Sequence, residues 1–209
     1  MSDVNITNIK DLFQQKKYSE IVLKIETLTT EKNRSPTLYN LLGVCKASRK
    51  GKTDEDIKSA LSDFETAFYK DNFGEISLES LCNHIKLCAE MGRKESNLVS
   101  NIMSSEKMFV KAEKKFLNNQ RFLAHGIDLY KYLLRHEKRI LFIERILKLK
   151  KLDKFFGSLY ITSQMYLNNW KQKNFRQFQE KFSNSIKILD AKKLSNLGSD
   201  KKKIRLGFL

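Results

Sequence analysis

The sequence contains very few residues that interrupt regular structure. It has one proline, Pro36, and eight glycines in 209 residues. Folds built from many short strands need turn residues about every 8 to 12 positions, and this chain cannot supply them. Apolar side chains instead recur three and four residues apart, as they do along one face of a helix. The pattern predicts an all-α protein.

The composition fits a folded chain in a reducing compartment. Hydrophobic residues make up 41% of the sequence, which is enough to bury a core. No apolar run approaches the ~18 residues of a membrane span, and residues 1–5 lack the layout of a secretory signal. The cysteines number three, so one thiol would remain after any internal pairing. We expect a cytoplasmic protein with no membrane association.

The positive charge is confined to the second half of the chain. Residues 1–100 contain 15 basic and 15 acidic side chains, whereas residues 101–209 contain 25 basic and nine acidic ones and so hold the entire net charge of +16. Such asymmetry can mark a surface for nucleic acid. However, lysine outnumbers arginine 31 to nine, whereas specific phosphate and base recognition favours the guanidinium group. Nucleic-acid binding is therefore the weaker interpretation.

Two local signals predict where helices in the first half begin. Pro36 suits the first turn of a helix, and Thr53 with Asp56 three residues later can cap another. The resulting short antiparallel helix pairs suggest an internal repeat. A strict shift of 34 residues places polar side chains on apolar positions, whereas five additional residues near position 50 restore the match. The repeat is therefore imperfect.

One helix pair carries a family motif. Tyr39-x2-Leu42-Gly43 followed by Ala60-x3-Phe64-x2-Ala67 resembles the tetratricopeptide repeat, a helix–turn–helix unit of about 34 residues. Gly43 would allow close approach of the paired helix, Ala60 and Ala67 would be small contact points, and Phe64 would fill the space between repeats. The sequence departs from the motif at Tyr39, at Lys46 and at Asn72, where Trp, Tyr and Pro are usual. The alternative is a generic array of helical hairpins.

The C-terminal segment carries a second resemblance. Residues 194–203 have the composition of a linker, and residues 204–209 read as a strand with no partner strand elsewhere in the chain. The string Lys202-Lys203-Ile204-Arg205-Leu206-Gly207-Phe208-Leu209 is similar to the first strand of the catalytic region in SPINDLY-type O-linked N-acetylglucosamine transferases. In that family, tetratricopeptide repeats come first and a helical connector follows, often with a Trp near the position of Trp170.

This resemblance implies a domain organisation and a function. We expect tetratricopeptide-like repeats (an α-solenoid) in 1–104, a helical connector in 105–193 whose aromatic side chains share a buried side, and the linker and first strand of a missing glycosyltransferase domain in 194–209. The chain would then be the region of a protein O-glycosyltransferase that presents a protein or peptide acceptor. A nucleotide sugar such as UDP-N-acetylglucosamine is implied for the whole enzyme, but no catalytic or cofactor-binding residue can be assigned in this chain.

Other candidate chemistry is sparse. Cys82-x-His84-x3-Cys88 could suggest a metal, but Cys82 and Cys88 would point away from each other on a helix, and three ligands do not close a structural zinc site. Buried cysteines in a helix pair are the preferred interpretation, and no metal site is predicted.

His125 and His136 lie eleven residues apart and would be nearly in line on a continuous helix, although the apolar stripes that end at Leu134 and begin at Ile140 mark two helices. The charged run from His136 to Arg139 is expected at a solvated helix end.

Asn40 is the one candidate for peptide binding. In tetratricopeptide proteins, asparagines that line the inner helices can hold a peptide backbone, since the amide both donates and accepts hydrogen bonds. Asn40 lies about one position from that register, so an ordinary surface asparagine is the alternative.

Three functional hypotheses therefore remain open. The first is the acceptor-presenting part of a glycosyltransferase. The second is a stand-alone tetratricopeptide adaptor for protein–protein interaction, and the third is a basic helical protein that binds nucleic acid.

Overall fold

The computed structural model describes residues 6–91, 98–149, 153–167, 176–180 and 183. Within these residues the chain forms nine α-helices up to Gln164 and one short 3-10 helix, residues 176–180 are also helical, and no strand is present among them. The helices are α1 (Ile6–Gln14), α2 (Tyr18–Leu28), the 3-10 helix (Glu31–Asn33), α3 (Pro36–Ser48), α4 (Asp54–Lys70), α5 (Glu75–Met91), α6 (Leu98–Phe116), α7 (Gln120–Tyr132), α8 (His136–Leu149) and α9 (Lys154–Gln164). The all-α prediction is confirmed. The predicted linker and strand in 194–209 lie outside the described residues.

The helices pack as successive hairpins. Helix α1 packs on α2, α3 on α4, α5 on α6 and α7 on α8, while α9 packs on α8. The first helix of one hairpin also contacts the first helix of the next, so that α3 packs on α5 and α5 packs on α7. We call α3, α5 and α7 the first-helix row.

The predicted capping signals form as expected. The Ser35 hydroxyl accepts a hydrogen bond from the Leu38 N–H at 3.3 Å, with Pro36 in the first turn of α3. At α4, Thr53 and Asp56 form a reciprocal capping box, in which each side chain accepts from the backbone N–H of the other. Both interactions satisfy N–H groups that a helix leaves unpaired at its N-terminus.

Several hairpin turns use non-glycine residues with left-handed backbone angles. The positive φ values are 57° at Lys16, 48° at Asn72, 64° at Phe73 and 55° at Leu134. The turn at Leu134 separates α7 from α8, so His125 and His136 lie on different helices. The two helices marked by the apolar stripes are confirmed, and the placement of the two histidines in line is wrong, because the chain turns between them.

The hydrophobic core consists of two clusters. The smaller one joins α1, α2 and α3 through residues that include Ile9, Ile21 and Leu42. The larger one runs from Ala60 in α4 to Ile146 in α8, and Val44 and Ala47 of α3 pack against it. Helix α3 therefore contacts both clusters. The junction predicted between residues 104 and 105 falls inside α6.

A glycine on a first helix faces an aromatic ring in two of the hairpins. A Cβ atom added at Gly43 would lie 2.6 Å from the ring of Phe64. A Cβ atom added at Gly126 of α7 would lie 2.5 Å from the ring of Phe109 and 3.2 Å from that of Phe142. The region predicted to be a connector without the repeat period thus shares this packing feature with α3 and α4.

The connector does not bury all its aromatic side chains. Phe155 is 70% exposed and Tyr166 is 63% exposed. The prediction that they lie on a buried side is wrong, because the main helix contact of α9 among the described residues is with α8, and Tyr166 lies in the turn that follows α9.

Candidate polypeptide-binding surface

The six predicted repeat-motif residues come together between α3 and α4. All are buried: Tyr39, Leu42, Gly43, Ala60, Phe64 and Ala67. The Tyr39 hydroxyl also donates a hydrogen bond to the Glu31 carbonyl oxygen at 2.8 Å, which fastens α3 to the preceding 3-10 helix. These residues stabilise the hairpin, and because they are buried they expose little surface to a ligand.

Lys46, where the sequence departs from the motif, is the centre of a buried ionic cluster. Its Nζ lies 2.8 Å from Asp63 Oδ2, 3.0 Å from Ser59 Oγ and 3.3 Å from Glu26 Oε1. Burial raises the pKa of Asp63, and the hydrogen bond and charge of Lys46 lower it. The cluster connects α2, α3 and α4, so it holds neighbouring hairpins together.

Asn40 is buried, with 6% of its surface exposed. Its Oδ1 accepts a hydrogen bond from Ser80 Oγ at 3.2 Å and another from Asn83 Nδ2 at 3.1 Å. The interpretation as an ordinary surface asparagine is therefore wrong, because α5 covers this side chain. Asn40 instead fixes the contact between α3 and α5.

Asn83 presents this amide pair toward the surface, since its side chain is only half-buried. Neither Asn40 Nδ2 nor Asn83 Oδ1 has a hydrogen-bond partner among the described residues. The pair thus leaves one amide donor and one amide acceptor without a partner among the described residues. Sequence reasoning missed Asn83, because its partner lies 43 positions away and is reached only through the packing of α3 on α5.

Three basic side chains continue this surface from α5 to α7. Lys86 and Arg121 are exposed, and His125 is half-buried. Burial lowers the pKa of His125, Asp128 raises it, and Arg121 and Lys86 lower it further, which places these groups near one another. Neither Lys86 nor Arg121 forms an ion pair with an acidic side chain of the described residues. We call Asn40, Asn83, Lys86, Arg121 and His125 the row surface.

A buried cluster links α5 to α6. His84 Nδ1 lies 2.8 Å from Ser105 Oγ and 3.6 Å from Cys88 Sγ, and all three side chains are buried. Burial lowers the pKa of His84 to about 4 and raises that of Cys88 to about 11. At neutral pH the cluster holds a neutral imidazole and a thiol, whereas a cysteine nucleophile requires the thiolate. Its role is to pack the two helices together.

Cys82 is separated from this cluster. It is 1% exposed, and Arg121 of α7 interacts with its thiol. His84 and Cys88 share a face as predicted, and both cysteines are buried as predicted. In the part of the chain that the structure describes, no three or more His, Cys, Asp or Glu side chains form a group that could hold a metal ion.

None of the described helices has an apolar stretch long enough to cross a bilayer.

The sequence and the structure were without a match among known proteins. No protein-family model matches the sequence, and neither a curated protein nor a solved structure matches it. The similarity to tetratricopeptide repeats therefore rests on the residues of α3 and α4 named above.

Proposed function

We propose that this chain is a helical-repeat module that binds an extended, acidic segment of another protein along the row surface. The observation that carries the proposal is the amide pair of Asn40 and Asn83. An extended peptide exposes N–H and C=O groups that need partners, and this pair offers one donor and one acceptor. The hydrogen bonds from Ser80 and Asn83 to Asn40 hold the pair in place before a ligand arrives, which lowers the entropic cost of binding.

The charge of the row surface supports an acidic ligand. Lys86 and Arg121 lie exposed beside His125, where Asp128 is one acidic side chain, and Glu79 of α5 acts on the same thiol as Arg121. Basic side chains facing a partner's carboxylates increase the association rate and select against basic segments. The positive charge of Lys86 and Arg121 also distinguishes the row surface from a purely apolar docking surface.

Selection of peptides from a displayed library against the full chain tests the proposal. We expect acidic peptides with Kd values in the micromolar range. The substitutions Asn83→Ala and Lys86→Ala should each weaken peptide binding about tenfold, which corresponds to a loss of about 1.4 kcal/mol in binding free energy. Lys10→Ala is the matched control, because Lys10 is exposed on α1, which contributes no residue to the row surface.

Two outcomes would contradict the proposal. One is equal affinity of the selected peptides for the Asn83→Ala variant and the original chain. The other is preferential binding of RNA or DNA with a steep loss of affinity as salt increases, which would favour the nucleic-acid hypothesis instead.

A more specific form of the proposal assigns the bound segment as the acceptor of a protein O-glycosyltransferase. Its support is the order of repeat, connector and Lys203-Ile204-Arg205-Leu206-Gly207 in the sequence. The encoding reading frame after Leu209 tests it. In the SPINDLY-type transferases that the C-terminal string resembles, a Ser-x-Asp-Phe-x-x-His stretch follows this strand. A continuation with that stretch supports acceptor presentation, and a stop codon or an unrelated continuation leaves a protein-binding adaptor.

A further inference from the structure

The start of α8 contains two buried side-chain nitrogen atoms that have no hydrogen-bond partner among the described residues. Arg139 is only 7% exposed, and its Nε is buried without a hydrogen bond. His136, three residues earlier, has a buried Nδ1 that also lacks a partner. The prediction that this segment is a solvated helix end is wrong for Arg139, because the side chain is enclosed by the neighbouring helices.

The two side chains lie on the same face of α8, since residues three apart on a helix are neighbours. Long side chains on a helix also lean toward its N-terminus, which directs Arg139 toward His136. The His136 ring stacks on Tyr166 with the ring centroids 4.7 Å apart and 14° between the planes. Tyr166 is 63% exposed, so the cluster lies next to the surface.

The backbone of α8 adds further unpaired donors. Within the described residues, no hydrogen bond satisfies the N–H groups of His136, Glu137 or Lys138, and the first backbone bond of the helix runs from the Arg139 N–H to the Arg135 carbonyl. By contrast, side chains cap α3, α4, α7 and α9. A helix N-terminus with free N–H groups favours negative charge.

The nearby charges leave Arg139 without an ion pair among the described residues. Arg135 and Lys138 instead pair with Glu106 of α6. Burial lowers the pKa of Arg139 and the charge of Asp128 of α7 raises it, but no ion pair between the two is present among the described residues. An unpaired buried charge is costly, so a ligand that supplies the missing negative charge gains binding energy here.

We propose that the N-terminus of α8, together with Arg139 and His136, is a binding site for a single phosphate group. The guanidinium group and the free N–H groups supply charge-assisted donors, which suit a phosphate oxygen. His136 Nδ1 adds another donor in the tautomer that carries its proton there. Asp128 and Glu137 oppose the ligand, so affinity in the millimolar range is expected for inorganic phosphate. The site shares no residue with the row surface and does not depend on the proposed function.

A titration of the full chain with inorganic phosphate, at constant ionic strength maintained with chloride, tests this site. We expect saturable shifts of the backbone amide resonances of Glu137 and Lys138 in NMR spectra. Phosphoserine in place of inorganic phosphate distinguishes a free ion from a phosphate monoester, and saturation by either ligand supports the site. Arg139→Gln should weaken binding at least tenfold, whereas Arg121→Gln, which removes an exposed charge elsewhere, should leave it unchanged.

A second variant keeps the test decisive if Arg139→Gln does not fold. His136→Phe retains a ring to stack on Tyr166 but removes Nδ1, and it should weaken phosphate binding several-fold. Shifts that do not saturate, or equal affinities in the original chain and His136→Phe, would overturn the proposal. So would equal losses in Arg139→Gln and Arg121→Gln, which would indicate a general charge effect.

Discussion

Gly43 of α3 lies so close to the ring of Phe64 of α4 that a Cβ atom at residue 43 would be 2.6 Å from a ring carbon. Phe64 is 1% exposed, so the ring has no solvent-filled space to move into. The glycine is therefore required by the approach of the two helices.

Gly43→Ala should destabilise the protein. Overpacking a core costs about 1 to 3 kcal/mol, and alanine recovers up to about 1 kcal/mol in helix propensity. We expect the free energy of unfolding in urea to fall by about 1 to 2 kcal/mol. Phe64→Leu should cost less in the Gly43→Ala background than in the original chain, whereas simple additivity would show that the two residues do not compete for space. Ser62→Ala, on the exposed side of α4, is the control.

Asp63→Ala should be among the more damaging substitutions. It removes the 2.8 Å partner of the buried Lys46 ammonium group and leaves only Glu26 and Ser59 near it. Breaking a buried ion pair from one side costs about 3 to 5 kcal/mol, and replacing both partners with apolar residues is often tolerated. We therefore expect the double variant Lys46→Met with Asp63→Leu to be more stable than Asp63→Ala.

The control for this prediction is an exposed ion pair. Glu55→Ala breaks the 3.8 Å pair with Lys58 at the surface of α4 and should have almost no effect on urea unfolding. Equal losses from Asp63→Ala and Glu55→Ala would show that the buried cluster contributes no more than a surface pair.

Stability should decrease in mild acid because of His84. Its pKa is lowered to about 4 from an ordinary value of 6.5, so between these values the unfolded chain binds a proton that the folded chain does not. The contribution of the neutral ring is complete above pH 6.5 and is lost as the pH falls toward 4. The loss at pH 4.5 is on the order of 2 to 3 kcal/mol. Urea unfolding at pH 7.5 and 4.5 measures it.

His84→Asn isolates this contribution from that of other groups. The amide can replace Nδ1 in the hydrogen bond to Ser105 but does not titrate. The difference in stability between the two pH values should shrink in this variant. An unchanged difference would assign the acid sensitivity to other residues, such as His125, whose pKa is also lowered by burial.

The three cysteines should not react in the folded protein. Cys45, Cys82 and Cys88 are each at most 1% exposed, and burial raises their pKa values to about 12, 11 and 11. At pH 8 a thiol-specific reagent should label none of them in the native state and all of them in concentrated urea, since the thiolate is the reactive form. Rapid native labelling of any one thiol would contradict the described packing.

Much of the helical fold could be predicted from local signals. Pro36 and the Thr53–Asp56 pair identified the starts of α3 and α4, because capping involves residues close in sequence. Breaks without such signals could be placed only from where one apolar stripe ends and the next begins, as at Leu134 and Ile140. The chain turns between α7 and α8 at Leu134 with φ of 55°, and nothing in the local composition indicates a turn there.

The candidate sites were harder to predict because they depend on contacts between distant residues. Lys46 was recognised only as a departure from the repeat motif, since Asp63 is 17 residues away. Asn40 was identified as a candidate, but its bonds to Ser80 and Asn83 require α3 to pack on α5. Arg139 looked like part of a charged run, and its burial depends on the surrounding helices.

The division of the core into two clusters has a consequence for the order in which the protein opens. Helices α1 and α2 are held through a small cluster that includes Ile9, Ile21 and Ile25 and depends on α3 for its remaining surface. Segments with few buried contacts open at lower free energy than the rest of a fold. The amide hydrogens of α1 and α2 should therefore exchange with deuterated solvent while those of α4 to α8 are still protected.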